Sequence, residues 1–199
     1  MIDEGYTKYQ CEWRIAPALP YDTIAEMNRW RNRLYDAGLV GYDAEHRVGF
    51  GNVSVREQGT DRFIVSGTQT GHVTRTDESH YARVTGCAID ANRVVCEGPV
   101  QASSEALTHA AVYALDPAIR SVVHVHDHAL WTKLAGRLPT TAPGIAYGTP
   151  EMAREFQRLF LESTFATNGI AVMGGHEGGI LAFGKTIEEA ALRVLSYRS

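Results

Sequence analysis

Cysteine is scarce in this chain: Cys11, Cys87 and Cys96 are the only three among 199 residues. An odd, low count argues against the disulfide framework that staples small secreted domains, and it points to a reducing cytoplasm. A surplus of positive charge is missing too. Nineteen Lys and Arg against 23 Asp and Glu leave a formal net charge of −4, whereas a nucleic-acid-binding face usually leaves an excess of cations. No apolar run approaches the roughly 18–20 residues of a membrane span. The start, Met1-Ile2-Asp3-Glu4-Gly5, lacks the basic and apolar segments of a secretory signal. No repeat, low-complexity tract or linker divides the chain. The expectation is one cytoplasmic domain over residues 1–199, with neither a nucleic-acid nor a membrane partner. What is present is a 44% apolar fraction, enough for one core at this length, and eight histidines, the single compositional hint of chemistry.

Pro17 and Pro20 make residues 1–20 read as an irregular lead-in. From Tyr21 to Ala37, Ile24, Met27, Trp30 and Leu34 recur at steps of three and four, which predicts a helix with Asp22 or Thr23 as cap and Gly38 at its end. Short strands follow at Val53–Arg56 and Arg62–Ser66. A hairpin over Tyr81–Ile89 and Arg93–Cys96 turns at Asp90-Ala91-Asn92. Ser103 or Ser104 can cap a helix that stops at Asp116-Pro117. Val122–Val125 reads as a buried strand, and Thr149 with Pro150 opens a helix to Phe165. Ile170–Met173 and Gly179–Phe183 are further strands, and Thr186 caps a last helix. Strands interleaved with helices along the whole chain predict one mixed sheet flanked by helices.

His124-Val125-His126 closes an apolar strand, so both imidazoles point to the same side. They can share a metal ion, or they can be two satisfied histidines at a strand terminus. His128 falls beyond the strand, on the rim. A catalytic zinc takes three protein ligands and keeps one position open. His176 is the best third ligand, because Met173-Gly174-Gly175-His176-Glu177-Gly178-Gly179 is a tight glycine-rich turn around one imidazole. The bland reading is a hairpin loop whose histidine does nothing. Three neutral imidazoles suit Zn²⁺ best, with Mn²⁺, Co²⁺ or Fe²⁺ as lesser candidates.

Ser103-Ser104-Glu105 is a helix N-terminus, which is also an anion site, and Glu105 near a metal can move a proton. His109, on the same helix face, reads as structural. Gly51-Asn52-Val53-Ser54 and Thr70-Gly71 can offer donors to an anionic group, and Tyr147 can place a phenol in the site.

Taken in order, Gly51–Arg56, Ser103-Ser104-Glu105, Val123–His126, Tyr147-Gly148-Thr149, the His176 turn and Gly184–Ala190 resemble the class II aldolase/adducin family over roughly residues 21–198. The resemblance implies a three-layer α/β/α sandwich with a central, largely antiparallel mixed sheet. It implies a zinc site of His124, His126 and His176, with Glu105 as acid/base. Glu105 precedes His124 by 19 residues, as in the family's aldolases. The similar epimerases carry Asp at that position. Asn52, Ser103, Ser104, Thr70 and Gly71 match residues that hold the phosphate in phosphorylated-sugar enzymes. Family members are typically homotetramers with active sites between subunits.

Two stretches depart from the family pattern. Its Thr-Pro-Ser-Gly stretch is replaced by the longer Val65–Gly71, where Thr70-Gly71 aligns with the phosphate pair and Ser66-Gly67 is a rival register. The aldolases' C-terminal tail brings a catalytic tyrosine, whereas Tyr197 here reads as the packed end of a helix.

The implied chemistry is retro-aldol cleavage of a small hydroxy-ketone sugar or sugar phosphate through a zinc-stabilised enediolate. No lysine Schiff base is needed, and Lys133 and Lys185 have no evident place in the site. Glu105 would move the proton at carbon, and Tyr147 would take that of the cleaved hydroxyl. The alternatives are a sugar-phosphate dehydratase similar to methylthioribulose-phosphate dehydratase, an epimerase, or a non-catalytic adducin-like assembly module.

Overall fold

The computed structural model describes residues 6–198, so residues 1–5 of the expected lead-in and Ser199 lie outside the described residues. In chain order the described elements are β1 (Gln10–Ile15), α1 (Tyr21–Asp36), β2 (Gly41–Asp43), β3 (Val48–Phe50), β4 (Asn52–Arg56) and β5 (Phe63–Ser66). After a 3-10 turn at Glu78–His80 come β6 (Tyr81–Ala88), β7 (Arg93–Gly98), α2 (Ala106–Leu115), β8 (Ser121–His126) and α3 (His128–Leu134). The chain continues through α4 (Pro150–Glu162), α5 (Phe165–Asn168), β9 (Ile170–Val172), β10 (Gly179–Gly184) and α6 (Ile187–Leu195). Eight strands form one sheet in the order β1-β7-β6-β5-β4-β8-β10-β9, and β2 pairs with β3 in a separate ribbon. Among the described residues of the large sheet only β1 and β7 run parallel.

Alternation along the strands divides the core in two. Phe63, Val65, Val84, Val122 and Leu181 face α2, α4 and α5, where they meet Leu107, Val112, Met152, Phe156 and Phe165. Val53, Ile64, Val123, Val125 and Ile180 face α1, α3 and α6, where they meet Ile24, Trp30, Leu34, Leu130 and Val194. Each such buried side chain contributes about 1.5–3 kcal/mol. The two cores therefore hold these short strands far more than the strands' own pairing does. The result is the three-layer α/β/α sandwich. His124 and His126 follow Val122 at steps of two, so the same alternation turns both imidazoles toward the α2 face.

Caps were legible where a hydroxyl precedes a helix. Thr149 Oγ1 accepts from Met152 N–H with Pro150 at the first helical position, and Thr186 Oγ1 accepts from Glu189 N–H. Elsewhere the expectations need correction. Residues 10–15 of the supposed lead-in form edge strand β1, parallel to β7. Both faces of β1 are largely exposed, so no hydrophobic alternation announced it. α1 begins directly after Pro20 with no side-chain cap. The cap of α2 is Glu105, whose N–H donates to the Ser103 hydroxyl oxygen at 3.2 Å, so the two serines form the turn before the helix. α4 stops at Glu162, and a separate helical turn, α5, ends on Gly169 in the left-handed conformation (φ 64°).

One buried cation ties this scaffold to the loop after β5. Arg31 of α1 is 1% exposed, and its guanidinium donates to the carbonyls of Val73 at 2.6 Å and Thr70 at 2.9 Å. Burial lowers its pKa. Replacing Arg31 with Met strands both carbonyls and should cost about 3 kcal/mol, read as a lower urea midpoint at unchanged slope. Arg31→Lys should recover only part of that, because an ammonium cannot fork to two carbonyls as a guanidinium does. An unchanged midpoint for Arg31→Met would refute this role.

Candidate active site

Four separate parts of the chain meet at one end of the sheet. The C-terminal end of β8 supplies His124 and His126, the β9–β10 turn supplies His176, the start of α2 supplies Glu105, and the start of β4 supplies Asn52. Asn52 pairs directly across from His124, so both side chains share a face. His126 pairs with Gly179. The β9–β10 turn is held firmly: Trp131 Nε1–H donates to the Met173 carbonyl at 2.9 Å, and Gly174 N–H donates to Thr141 Oγ1 at 2.9 Å. His176 N–H donates to the Met173 carbonyl at 3.1 Å, and Gly179 N–H returns to the His176 carbonyl at 2.8 Å.

Three imidazole nitrogens converge. His126 Nε2 lies 2.9 Å from His124 Nε2 and 3.0 Å from His176 Nε2. His124 is fully buried and His176 is 5% exposed. Burial is the main cause that lowers the pKa of His124 to about 3 and that of His126 well below its usual value, so both rings are neutral at pH 7. Neutral nitrogens aimed at one point turn lone pairs toward one another, an arrangement that a divalent cation relieves. The donor set, three imidazoles converging on one point, can hold a divalent metal ion.

Glu105 completes the cluster. Its Oε1 lies 3.3 Å from His124 Nε2 and 3.2 Å from His176 Nε2, and the residue is 2% exposed. Neither carboxylate oxygen makes a well-formed hydrogen bond among the described residues. Burial is the main cause that raises its pKa, with His124, the Thr108 hydroxyl and the Lys8 ammonium acting the other way. A carboxyl group so placed can hold or release a proton beside the metal position.

A narrow cleft adjoins Glu105. It is lined by Asn52, Ser103, Ser104, Thr70 and Gly71 together with the intervening loop residues from Gly67, so the five expected phosphate contacts are brought together. The buried Asn52 Oδ1 has no partner there among the described residues. Thr70 Oγ1–H donates to the Gly67 carbonyl at 2.8 Å, so residues 67–71 close on themselves as a compact turn. Tyr147 is buried at the other wall, its ring 4.5 Å from that of His176. Its hydroxyl accepts from Tyr6 N–H at 3.0 Å and donates to the Tyr6 carbonyl at 3.1 Å.

The remaining histidines separate cleanly. His109 is buried and its Nδ1 meets Ser54 Oγ at 2.7 Å, in a network that continues to the Tyr113 hydroxyl. His128 is exposed and pairs with Glu177 at 3.1 Å. Lys133 donates to the Tyr197 carbonyl, far from any role in the cluster. Sequence reasoning missed Lys8, whose ammonium sits 3.4 Å from the centre of the Tyr147 ring. Nothing local could have found it, since a single lysine in a polar lead-in carries no pattern.

Residues 32–198 match the model of the Class II Aldolase and Adducin N-terminal domain, and the chain belongs to that family. Among solved structures it is similar to an L-fuculose 1-phosphate aldolase, with 19% identity, a TM-score of 0.68, and coverage of 91% of this chain and 84% of that one. It is also similar to YgbL of Escherichia coli, with 19% identity, a TM-score of 0.65, and coverage of 88% and 84%. A sugar-phosphate aldolase from Thermotoga maritima has 18% identity, a TM-score of 0.63, and coverage of 88% and 90%. No curated protein matches at a significant level. No helix among the described residues is long and apolar enough to cross a membrane.

Two outcomes follow from this packing. A Cβ at Gly179 would stand 2.6 Å from His176 Cδ2 and 3.2 Å from His124 Cε1. Gly179→Ala should therefore keep the fold by circular dichroism while weakening metal binding at least tenfold; wild-type metal affinity would refute the proposed crowding. Burial, with His124 acting in the same direction, depresses the pKa of His109 to about 3, so below pH 6.5 the unfolded chain binds a proton that the folded chain does not. Stability should then fall as pH drops from 6.5, by about 1.4 kcal/mol per unit from this residue. Denaturation midpoints of metal-free wild type and His109→Asn should converge toward low pH, and parallel curves would contradict the assignment.

Proposed function

We propose that the chain is a zinc-dependent lyase that cleaves a small hydroxy-ketone sugar or sugar phosphate by a retro-aldol reaction. The observation that carries this reading is the buried Glu105 carboxylate held 3.2–3.3 Å from two of three converging imidazole nitrogens. Family membership supports it. Similarity to a chain described as an L-fuculose 1-phosphate aldolase makes that compound the first substrate to try.

His124, His126 and His176 would hold the metal. When bound, it supplies a Lewis acid that draws off the negative charge developing as the carbon–carbon bond breaks. Every other task falls to the chain. Glu105 delivers a proton to the carbon that was cleaved, or removes it in the condensation direction, and its upward-shifted pKa suits a group that must carry a proton near neutral pH. Asn52, Ser103, Ser104, Thr70 and Gly71 orient the anionic end of the substrate through neutral donors. Tyr147 walls the site beside His176, and to take the proton of the cleaved hydroxyl it must act as the phenolate, its own proton released to solvent and Tyr6 exchanged for substrate.

Glu at position 105 favours lyase chemistry over epimerisation on the family resemblance stated above. A homotetramer with active sites between subunits rests on that resemblance, and light scattering tests it. The cytoplasmic setting rests on three free thiols.

The purified chain should retain about one zinc per chain after dialysis, and His176→Ala should lose it. Glu105→Gln should keep the metal yet lower kcat by about 10²–10⁴-fold. An aldehyde fragment among the products supports the lyase, and a dehydrated ketone would replace it with a dehydratase. Absence of bound metal in the wild type, or full turnover by metal-loaded Glu105→Gln, would refute the mechanism.

A further inference from the structure

Residues 6–9 run along the wall of the site on their way into β1. Tyr6 exchanges two backbone hydrogen bonds with the Tyr147 hydroxyl, at 3.0 and 3.1 Å. The Tyr9 hydroxyl donates to the Ser103 carbonyl at 2.7 Å, two residues before Glu105. Between them, the Lys8 carbonyl accepts from Asn92 Nδ2 at 2.8 Å, which ties the segment to the β6–β7 turn. The backbone is thus pinned on both sides of Lys8 and at Lys8 itself.

That pinning matters because a lysine side chain carries about 2 kcal/mol of rotamer entropy, so ammonium groups are placed over a site only when the surroundings hold them there. Lys8 Nζ lies 3.4 Å from the centre of the Tyr147 ring, and the same ring lies 4.5 Å from that of His176. Among the described residues, Lys8 is also the one lysine or arginine whose charge bears on Glu105. The cleft of Asn52, residues 67–71 and Ser103–Glu105 contains no cationic side chain. Lys8 therefore supplies the site with a positive charge that its neutral donors lack.

We propose that Lys8 is a substrate-binding residue of this site, its ammonium taking an anionic oxygen of the substrate beside Tyr147, and that residues 6–9 are the strap that holds it there. This rests on the metal-site reading above, and it adds a specificity: the preferred ligands carry a phosphate or carboxylate within reach of Lys8. It makes the lead-in part of the active site.

The test is calorimetric titration of the metal-loaded full chain with phosphoglycolate, an anion, and with hydroxyacetone, a smaller neutral hydroxy-ketone. Lys8→Met should weaken phosphoglycolate at least tenfold and change hydroxyacetone less than twofold, at unaltered metal content. Lys8→Arg should restore phosphoglycolate to within about threefold of wild type. Titration with glycolate separates the sources: a loss confined to phosphoglycolate assigns Lys8 to phosphate, and an equal loss assigns it to carboxylate. Equal weakening of the neutral ligand, no weakening of the anion, or no anion binding by the wild type overturns the proposal. If the wild-type chain holds no metal, the lyase reading fails, and titrating inorganic phosphate into wild type and Lys8→Met still decides the role of Lys8.

Discussion

Everything at the functional end of this molecule depends on the desolvation of three imidazoles and one carboxylate packed within hydrogen-bond distance of each other. Water would stabilise each of these groups separately, and burial withdraws it. Burial drives His124 and His126 to the neutral form, while the carboxyl group is driven toward the protonated form. The cluster thereby acquires opposite tendencies in adjacent groups: nitrogens that want a cation, and an acid that can part with a proton when one arrives. Sheet alternation, the glycine at position 179 and the anchored β9–β10 turn all serve to keep those four side chains together against their preference for solvent.

The division of labour among elements follows from what each can hold rigidly. His124 and His126 ride on β8, a central strand paired on both edges with β4 and β10, so their spacing is set by the backbone ladder. Glu105 sits at a helix start, where the chain direction is fixed by the turn of Ser103 and Ser104. The loop after β5 has no ladder of its own. It borrows rigidity from Arg31, a cation in the layer on the other side of the sheet that grips two of its carbonyls. Strand-held imidazoles and a separately braced loop would allow the proposed substrate-holding half of the site to vary without disturbing the imidazole cluster.

The parts legible in the sequence were those with short-range rules. A period of two placed His124 and His126 on one face, hydroxyls marked the starts of α4 and α6, and glycines around His176 marked a turn that presents it. The illegible parts were those whose partners are distant. β1 is an exposed edge strand joined in parallel to β7 some eighty residues later, with polar and apolar residues on both faces, so neither periodicity nor composition marks it. Ser103 and Ser104 looked like caps because serine usually is one, but Glu105 took the position and left the serines facing the cleft. Lys8 was invisible for the same reason as β1: its neighbours are Asn92 and Tyr147, brought to it only by the fold.

The fold alone does not distinguish an enzyme from an assembly module, but the energetics of the cluster bear on the question. A buried carboxyl group without well-formed hydrogen bonds, set among neutral imidazoles, opposes folding by several kcal/mol if charged. Apolar residues of similar volume at positions 105, 124 and 176 would pack between α2 and the sheet with no such penalty, and such replacements are often neutral or stabilising. A scaffold that needed only its surface would gain stability from that exchange. Groups that weaken the apo fold while converging on one point make sense when a bound cation and a proton-transfer step recover the loss. The cost of burying these four groups is therefore an argument for the proposed metal-dependent chemistry over an assembly role.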